Sequence, residues 1–348
     1  MWIETPVFQE DLETIAQADY IPWEQLRGKT CLITGATGLI GYTLTSALLY
    51  VGWKKQLDLT VVALVRNVEK AKQKFSAQLS QGLPLRFVQG DVEHLPLMDG
   101  PVDYVIHGAS PTASKYFVEH PVETIHTAVT GTMNLMRLAK DKQCQGFVYL
   151  SSMEVYGSPQ TDEKIAESHS TNLDTMVARN SYPESKRLCE SLCASYWAEY
   201  GLRAMSVRLT QTFGPGVDYN DNRVFAQFAR SVIEGKDIVL LTKGETRRSY
   251  LYTADAVTAI LTVLLEGQGG QAYNAANEDT YCSIYEMAEL FADGKVQVKI
   301  QCNEAETKQF APVLRMNLDV SKLKGLLWGS KIKFSQMKDS MISEMRKE

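Results

Sequence analysis

Thr30-Cys31-Leu32-Ile33-Thr34-Gly35-Ala36-Thr37-Gly38-Leu39-Ile40-Gly41 is the stretch that decides the fold. Its first five residues form a short apolar, β-branched run that reads as a buried strand, and a helical pattern opens at Leu39 and continues to about Tyr50. Gly35, Gly38 and Gly41 set a G-x-x-G-x-x-G spacing across that junction. Such a turn lets backbone N–H groups approach a pyrophosphate, and the helix start adds unpaired donors and the positive end of its dipole. Gly41 also lets the helix lie close to the strand. Between a first strand and a first helix, this triplet predicts a dinucleotide site lined by Gly35, Thr37, Gly38, Leu39, Ile40 and Gly41.

Working outward, Leu59–Val65, Arg86–Gln89, Tyr104–His107 and Phe147–Ser151 repeat the strand pattern, with helical segments near 68–80 and 121–142. Strands alternating with helices predict an α/β fold: a Rossmann-type, doubly wound parallel sheet covered on both faces. Beyond about residue 200, Arg203–Arg208 reads as a strand returning to that sheet. Asp237–Leu241 and Gln271–Asn274, separated by a helix over Asp255–Leu265, read as a smaller mixed α/β substrate-binding lobe. The expected division is a packed N-terminal extension over 1–28, a dinucleotide-binding domain over 29–180, and a mainly substrate-binding lobe, interleaved with it, over 181–348.

Composition narrows the partners. The chain is 45% hydrophobic and 22% charged with a net charge of −5, which excludes disorder and generic nucleic-acid backbone binding. Its longest apolar run, Ala256–Leu265, falls well short of the roughly 20 residues of a membrane span. No basic and apolar leader opens the sequence. Cys189 and Cys193 lie one helical turn apart, but no second cysteine pair accompanies them and the five histidines lack ligand spacing. The expectation is a cytoplasmic protein with reduced cysteines, no metal, no membrane contact and no nucleic-acid partner.

The tip of the second strand, Leu64-Val65-Arg66-Asn67, carries no acid to accept from a ribose 2′-OH. Arg66 tilts the expected cofactor from NAD toward NADP, because a cation accommodates a 2′-phosphate. Asp91, in Gly90-Asp91-Val92, ends the third strand where its side chain can reach an adenine amino group.

Tyr182-Pro183-Glu184-Ser185-Lys186 places a phenol and an ammonium one turn apart on a helix face. The adjacent ammonium is expected to lower the phenol's pKa toward a range useful for proton exchange with a hydroxyl. Upstream, the fifth strand runs into Ser152-Met153-Glu154-Val155-Tyr156-Gly157. At the carboxyl end of a parallel strand, Ser152 can share the substrate oxygen that Tyr182 serves, and Glu154 is a candidate base.

Together, the glycine turn, Leu150-Ser151-Ser152 with Val155-Tyr156-Gly157, and Tyr182 with Lys186 resemble the extended short-chain dehydrogenase/reductases that modify nucleotide sugars. Ala109-Ser110-Pro111-Thr112-Ala113-Ser114, Thr212-Phe213-Gly214-Pro215, Arg223-Val224 and Arg248-Ser249-Tyr250-Leu251-Tyr252 most resemble UDP-glucuronate decarboxylases. Nucleotide-sugar 4-epimerases and 4,6-dehydratases are close behind. The resemblance implies that Tyr182, helped by Ser152, takes the C4 hydroxyl proton, that Lys186 holds the nicotinamide ribose, and that Glu154 is the family's carboxylate. It further implies cofactor contacts at Val92 and Ala109, and substrate contacts at Ser110, Gln211, Arg223, Gln227 and Arg248. Helices near 121–142 and 182–200 imply a homodimer.

Three positions depart from that pattern. Met153 stands where dehydratases carry Asp and decarboxylases a small hydroxyl residue, and a thioether donates no proton. Ala128 replaces a frequent Asn, and Gly216 replaces the decarboxylases' Arg. Decarboxylase, 4-epimerase and dehydratase remain open at this point, as does a cofactor-binding scaffold that has lost turnover.

Overall fold

The computed structural model describes residues 5–111, 114–302 and 313–346. Its central sheet takes β1 (Thr30–Thr34), β2 (Thr60–Val65), β3 (Leu85–Gln89), β4 (Tyr104–His107), β5 (Gly146–Ser152) and β6 (Ala204–Leu209) in the spatial order β6-β5-β4-β1-β2-β3. A seventh strand, Ala272–Ala275, pairs in parallel with β6 at the open edge. That placement corrects the sequence reading, which put 271–274 in the smaller lobe. The stretch is short at either address, and only its tertiary partner distinguishes them.

Helices cover both faces. On one face lie α1 (Pro6–Ala16), α2 (Leu39–Lys54) and the helix Thr253–Glu266. The last is buried along its whole length apart from Glu266, which explains its apolar composition without a membrane. Phe8, Leu12 and Ile15 of α1 are buried in the same core cluster as α2. Between β2 and β3 the chain forms two short helices, α3 (Val68–Lys74) and α4 (Ser76–Ser80).

On the opposite face, α5 (Ser114–Glu119) precedes α6 (Pro121–Asp141), which packs along α7 (Ser181–Tyr200). Gly131 lets α6 approach the end of the sheet, because a Cβ there would lie 2.6 Å from the Val92 side chain.

Beyond β6 the smaller lobe is built from β7 (Gln211–Phe213), α8 (Val224–Ile233), β8 (Ile238–Leu240) and β9 (Arg247–Tyr252). β9 is its hub, pairing with β7, with the strand Asn277–Ser283 and with Arg315–Met316. Because β1 and β4 neighbour each other while their helices leave toward opposite faces, the crevice above them is where an open parallel sheet binds ligands.

Candidate active site

The turn after β1 is shaped by what cannot fit in it. Gly35 has φ +73°, and a Cβ there would lie 2.7 Å from the Gly108 backbone and 2.9 Å from the Ala109 nitrogen. A Cβ on Gly41 would run into the Gly35 carbonyl. Gly38 is different: it caps α2 with no side-chain hydrogen bond, and a Cβ would meet only the Gly35 oxygen at 3.4 Å. Open space therefore lies before the first turn of α2, where the N–H groups of Leu39 and Ile40 have no intrahelical acceptor. A pyrophosphate fits this cradle. Thr37 is exposed, and its carbonyl accepts from Lys74 of α3 at 2.9 Å. Sequence reading missed that second cation at the turn.

The flanking residues fall around the same crevice. Arg66 is exposed after β2 and makes no hydrogen bond or ion pair among the described residues. Asp91 accepts the N–H groups of Glu93 at 2.8 Å and His94 at 2.7 Å. Burial opposes ionisation of Asp91, but those hydrogen bonds hold its carboxyl below the ordinary value. Val92 is buried, and Ala109 donates its N–H to Thr34 Oγ1 at 3.2 Å. Ser110 Oγ donates to the Pro111 carbonyl. Thr112 and Ala113 of the quoted motif lie outside the described residues.

Across the crevice, β5 ends in a single 3₁₀ turn over Met153–Tyr156, capped by Ser152, whose Oγ accepts the Glu154 N–H at 3.2 Å. Tyr182 enters from the first turn of α7, 8% exposed, with its ring stacked on Phe117 at 4.1 Å and 10°. Ser152 stands close enough to its hydroxyl to draw the phenol down. Lys186 Nζ donates to the Leu150 carbonyl at 2.8 Å and lies 5.5 Å from the Tyr182 ring centre. The four residues singled out for chemistry thus meet in one place.

The electrostatics correct one expectation. Burial raises the Tyr182 phenol well above its ordinary value, and the Glu154 charge adds to it, while Ser152 and Arg179 pull it down. Lys186 does not bring it low: its ammonium is directed at a carbonyl and is itself pushed down to about 8 by burial. His107 lies behind it, with Nδ1 2.8 Å from Thr34 Oγ1. Burial first, then Lys186, push that imidazole down to about 3, so it is neutral at physiological pH.

A family profile described as the NAD dependent epimerase/dehydratase family matches residues 31–276. The chain belongs to that family. It is 28% identical over 262 residues to UDP-glucuronic acid decarboxylase 1 of Xenopus tropicalis, covering 75% of this chain but 59% of the relative. UDP-glucuronic acid decarboxylase 1 of Arabidopsis thaliana is 27% identical over 318 residues, 90% of this chain and 69% of that one. In fold, the chain is similar to DesIV, the dTDP-glucose 4,6-dehydratase of Streptomyces venezuelae, whose structure holds NAD. The TM-score is 0.76 at 22% identity, over 91% of this chain and 97% of that one. The UDP-glucose 4-epimerase of Thermotoga maritima gives 0.73 at 19%, over 91% and 99%.

The residues of this epimerase/dehydratase chain that the sequence resemblance assigned to substrate divide into two groups. Arg248, on β9, has its Nε buried with no partner among the described residues, a cation whose charge no carboxylate there offsets. Gln211 opens the neighbouring strand β7, in register with Tyr250. Arg223 and Gln227 are instead engaged locally: Arg223 forks onto Asp221 at 2.5 Å, and Gln227 Nε2 donates to the Asn222 carbonyl at 2.6 Å.

Met153 points into a satellite core with Ile165, Met316 and Leu318, its sulfur 3.3 Å from Thr210 Oγ1. Gly216 takes φ +85°, strained for an Arg, and sits beside Leu39 of the glycine turn.

Two further features escaped the sequence. Arg179 Nη2 donates to Glu154 Oε2 at 2.9 Å. Behind the turn, Glu190 accepts from Ser151 and from Arg208, and Arg208 also reaches the Tyr156 hydroxyl. Such partners lie 18 to 52 residues apart, so no local spacing signals them. Among the described residues no cluster could hold a metal ion, and no helix is long and apolar enough to cross a membrane.

Proposed function

We propose that the protein decarboxylates a nucleoside-diphosphate hexuronate, with UDP-glucuronate the foremost substrate, through a 4-keto sugar. The observation that carries this reading is the convergence of Ser152, Glu154, Tyr182 and Lys186 on one crevice in a chain similar to UDP-glucuronic acid decarboxylases. Gly35, Thr37, Gly38, Leu39, Ile40 and Gly41 would hold the dinucleotide's pyrophosphate. Arg66, Asp91, Val92 and Ala109 would flank its adenosine half, and Tyr182 and Lys186 its nicotinamide ribose. When bound, the nicotinamide supplies a reversible hydride acceptor for C4 of the sugar.

Within the chain, Ser152 and Tyr182 hold the C4 hydroxyl, and Tyr182 exchanges its proton. Because the Glu154 charge raises the phenol, engagement of Glu154 by Arg179 eases formation of the phenolate. A ketone at C4 makes the C6 carboxylate a β-keto acid. CO2 departs, the electrons of the C5–C6 bond pass into an enolate, and a proton is delivered to C5; C4 then regains its hydride and takes its hydroxyl proton back from Tyr182, which leaves the pentose. Ser110, Gln211, Arg223, Gln227 and Arg248 would bind the nucleotide diphosphate and sugar.

Dehydration needs an acid beside Glu154, and the buried Met153 thioether supplies none. Epimerisation needs neither Glu154 nor its Arg179 partner. Arg66, joined at the turn by Lys74, supports NADP over NAD. Exposed Val122, Ile125 and Met133 of α6 with Leu188 of α7 support a homodimer through these helices, and six free cysteines support the cytoplasm. A panel of UDP-, dTDP-, GDP- and CDP-sugars read by mass tests the reaction. Loss of CO2 from a hexuronate is expected; loss of water, or altered stereochemistry at constant mass, would overturn the reading.

A further inference from the structure

Decarboxylation sets this site an electrostatic problem. Glu154 is an acid close enough to Tyr182 for its charge to be felt there. A sugar carboxylate entering the same crevice adds a second negative charge, and neighbouring like charges disfavour one another. The chain carries one feature that answers this. The turn Ala178–Asn180 just before α7 presents Arg179, and the turn is fixed by Asn180 Nδ2 donating to the Asp174 carbonyl at 2.8 Å.

Arg179 makes a single protein hydrogen bond among the described residues, Nη2 to Glu154 Oε2 at 2.9 Å. A guanidinium has five N–H donors, so most are unspent. Its plane is located by Phe117, whose ring centre lies 5.1 Å away, and Phe117 in turn stacks on Tyr182 at 4.1 Å. A half-exposed cation, located by an aromatic ring beside the reacting phenol, has the donor geometry that carboxylates accept bidentately.

We propose that Arg179 is a specificity-determining residue: it offsets Glu154 and gives its remaining donors to the carboxylate of a hexuronate. The inference rests on the hexuronate reading above and names the residue that admits the acid. Arg248, on β9 in the other lobe, is left for the nucleotide diphosphate. A neutral hexose gains nothing from Arg179, so the residue acts on the difference between the two sugars.

The test is calorimetric binding of UDP-glucuronate, UDP-glucose and UDP to dinucleotide-loaded protein, in a Tyr182→Phe background that blocks turnover. Arg179→Gln is expected to weaken UDP-glucuronate by about 10-fold or more while UDP-glucose and UDP stay within about 2-fold. Arg179→Lys should retain part of the preference. Adding Glu154→Gln to Arg179→Gln should restore most of the lost affinity, because the repelling charge goes too. Equal weakening of both sugars, no weakening, or no restoration would overturn the role of Arg179. Unchanged UDP affinity certifies that the variants are folded. If protein with Arg179 intact binds UDP-glucuronate no more tightly than UDP, the hexuronate reading fails, and the inference with it.

Discussion

The turn after β1 and the turn after β5 both end central parallel strands and open on the same crevice, yet they are built differently. The first is made of backbone: Gly35 and Gly41 are required because the chain passes too close to Gly108 and to itself for any Cβ. The second is made of side chains held from far away. Ser152 caps it, Arg179 holds Glu154, and Phe117 stacks on Tyr182. A backbone cradle for a common pyrophosphate needs only local sequence. A site that chooses a reaction needs groups from several elements, whose charges depend on burial.

That contrast can be broken or sharpened by substitution. Tyr182→Phe should lower turnover by about 10³-fold, the scale of general acid–base catalysis, while dinucleotide affinity stays within a few-fold. Turnover kept in this variant would remove the turn after β5 and its Tyr182 neighbour from the proposed reaction; a parallel loss of cofactor would merge the two turns. Gly35→Ala should do the opposite, weakening the dinucleotide by about 100-fold through the steric conflict and the left-handed backbone, as read by fluorescence titration. Wild-type affinity in Gly35→Ala would show that the cradle is not the binding site.

Smaller effects lie at the margins. Arg66→Asp should shift the NADP-to-NAD affinity ratio toward NAD by about 10-fold with turnover chemistry intact. An unchanged ratio would free Arg66 from the 2′ position.

Asp11 provides a control that belongs to neither turn. Buried in α1 with its carboxylate 3.0 Å from the Tyr252 hydroxyl, it is pushed up to about 8, chiefly by burial. The folded state therefore keeps a proton that the unfolded chain loses above pH 4, so stability falls as pH rises from about 4 to 8. Asp11→Asn removes that loss. It should stabilise the protein by on the order of 2 kcal/mol at pH 8 and by almost nothing near pH 4. Thermal unfolding across that range reads the widening gap, and a constant gap would contradict it.

The same contrast sets how much was legible in the sequence. β1 to β6, the glycine cradle and the Tyr182–Lys186 pair follow from local period and spacing. The strand Ala272–Ala275 was found but misassigned, since a four-residue strand does not announce its neighbour. Arg179 and Glu154 stand 25 residues apart, and only the fold joins them. The direction of the Tyr182 shift was misjudged because sequence shows the adjacent Lys186 and not the burial that raises the phenol. Arg223 fell outside the unspent cations because Asp221, two residues away, was not weighed as its partner.

The central claim is that the catalytic turn acts at C4 of a hexuronate. Incubation with UDP-glucuronate deuterated at C4, with the sugar product read by mass spectrometry and NMR, tests it most directly. The account predicts loss of one CO2 with deuterium retained at C4 of the pentose, and no such product from Tyr182→Phe. An unchanged sugar when the dinucleotide is bound, or undiminished CO2 release by Tyr182→Phe, would contradict it.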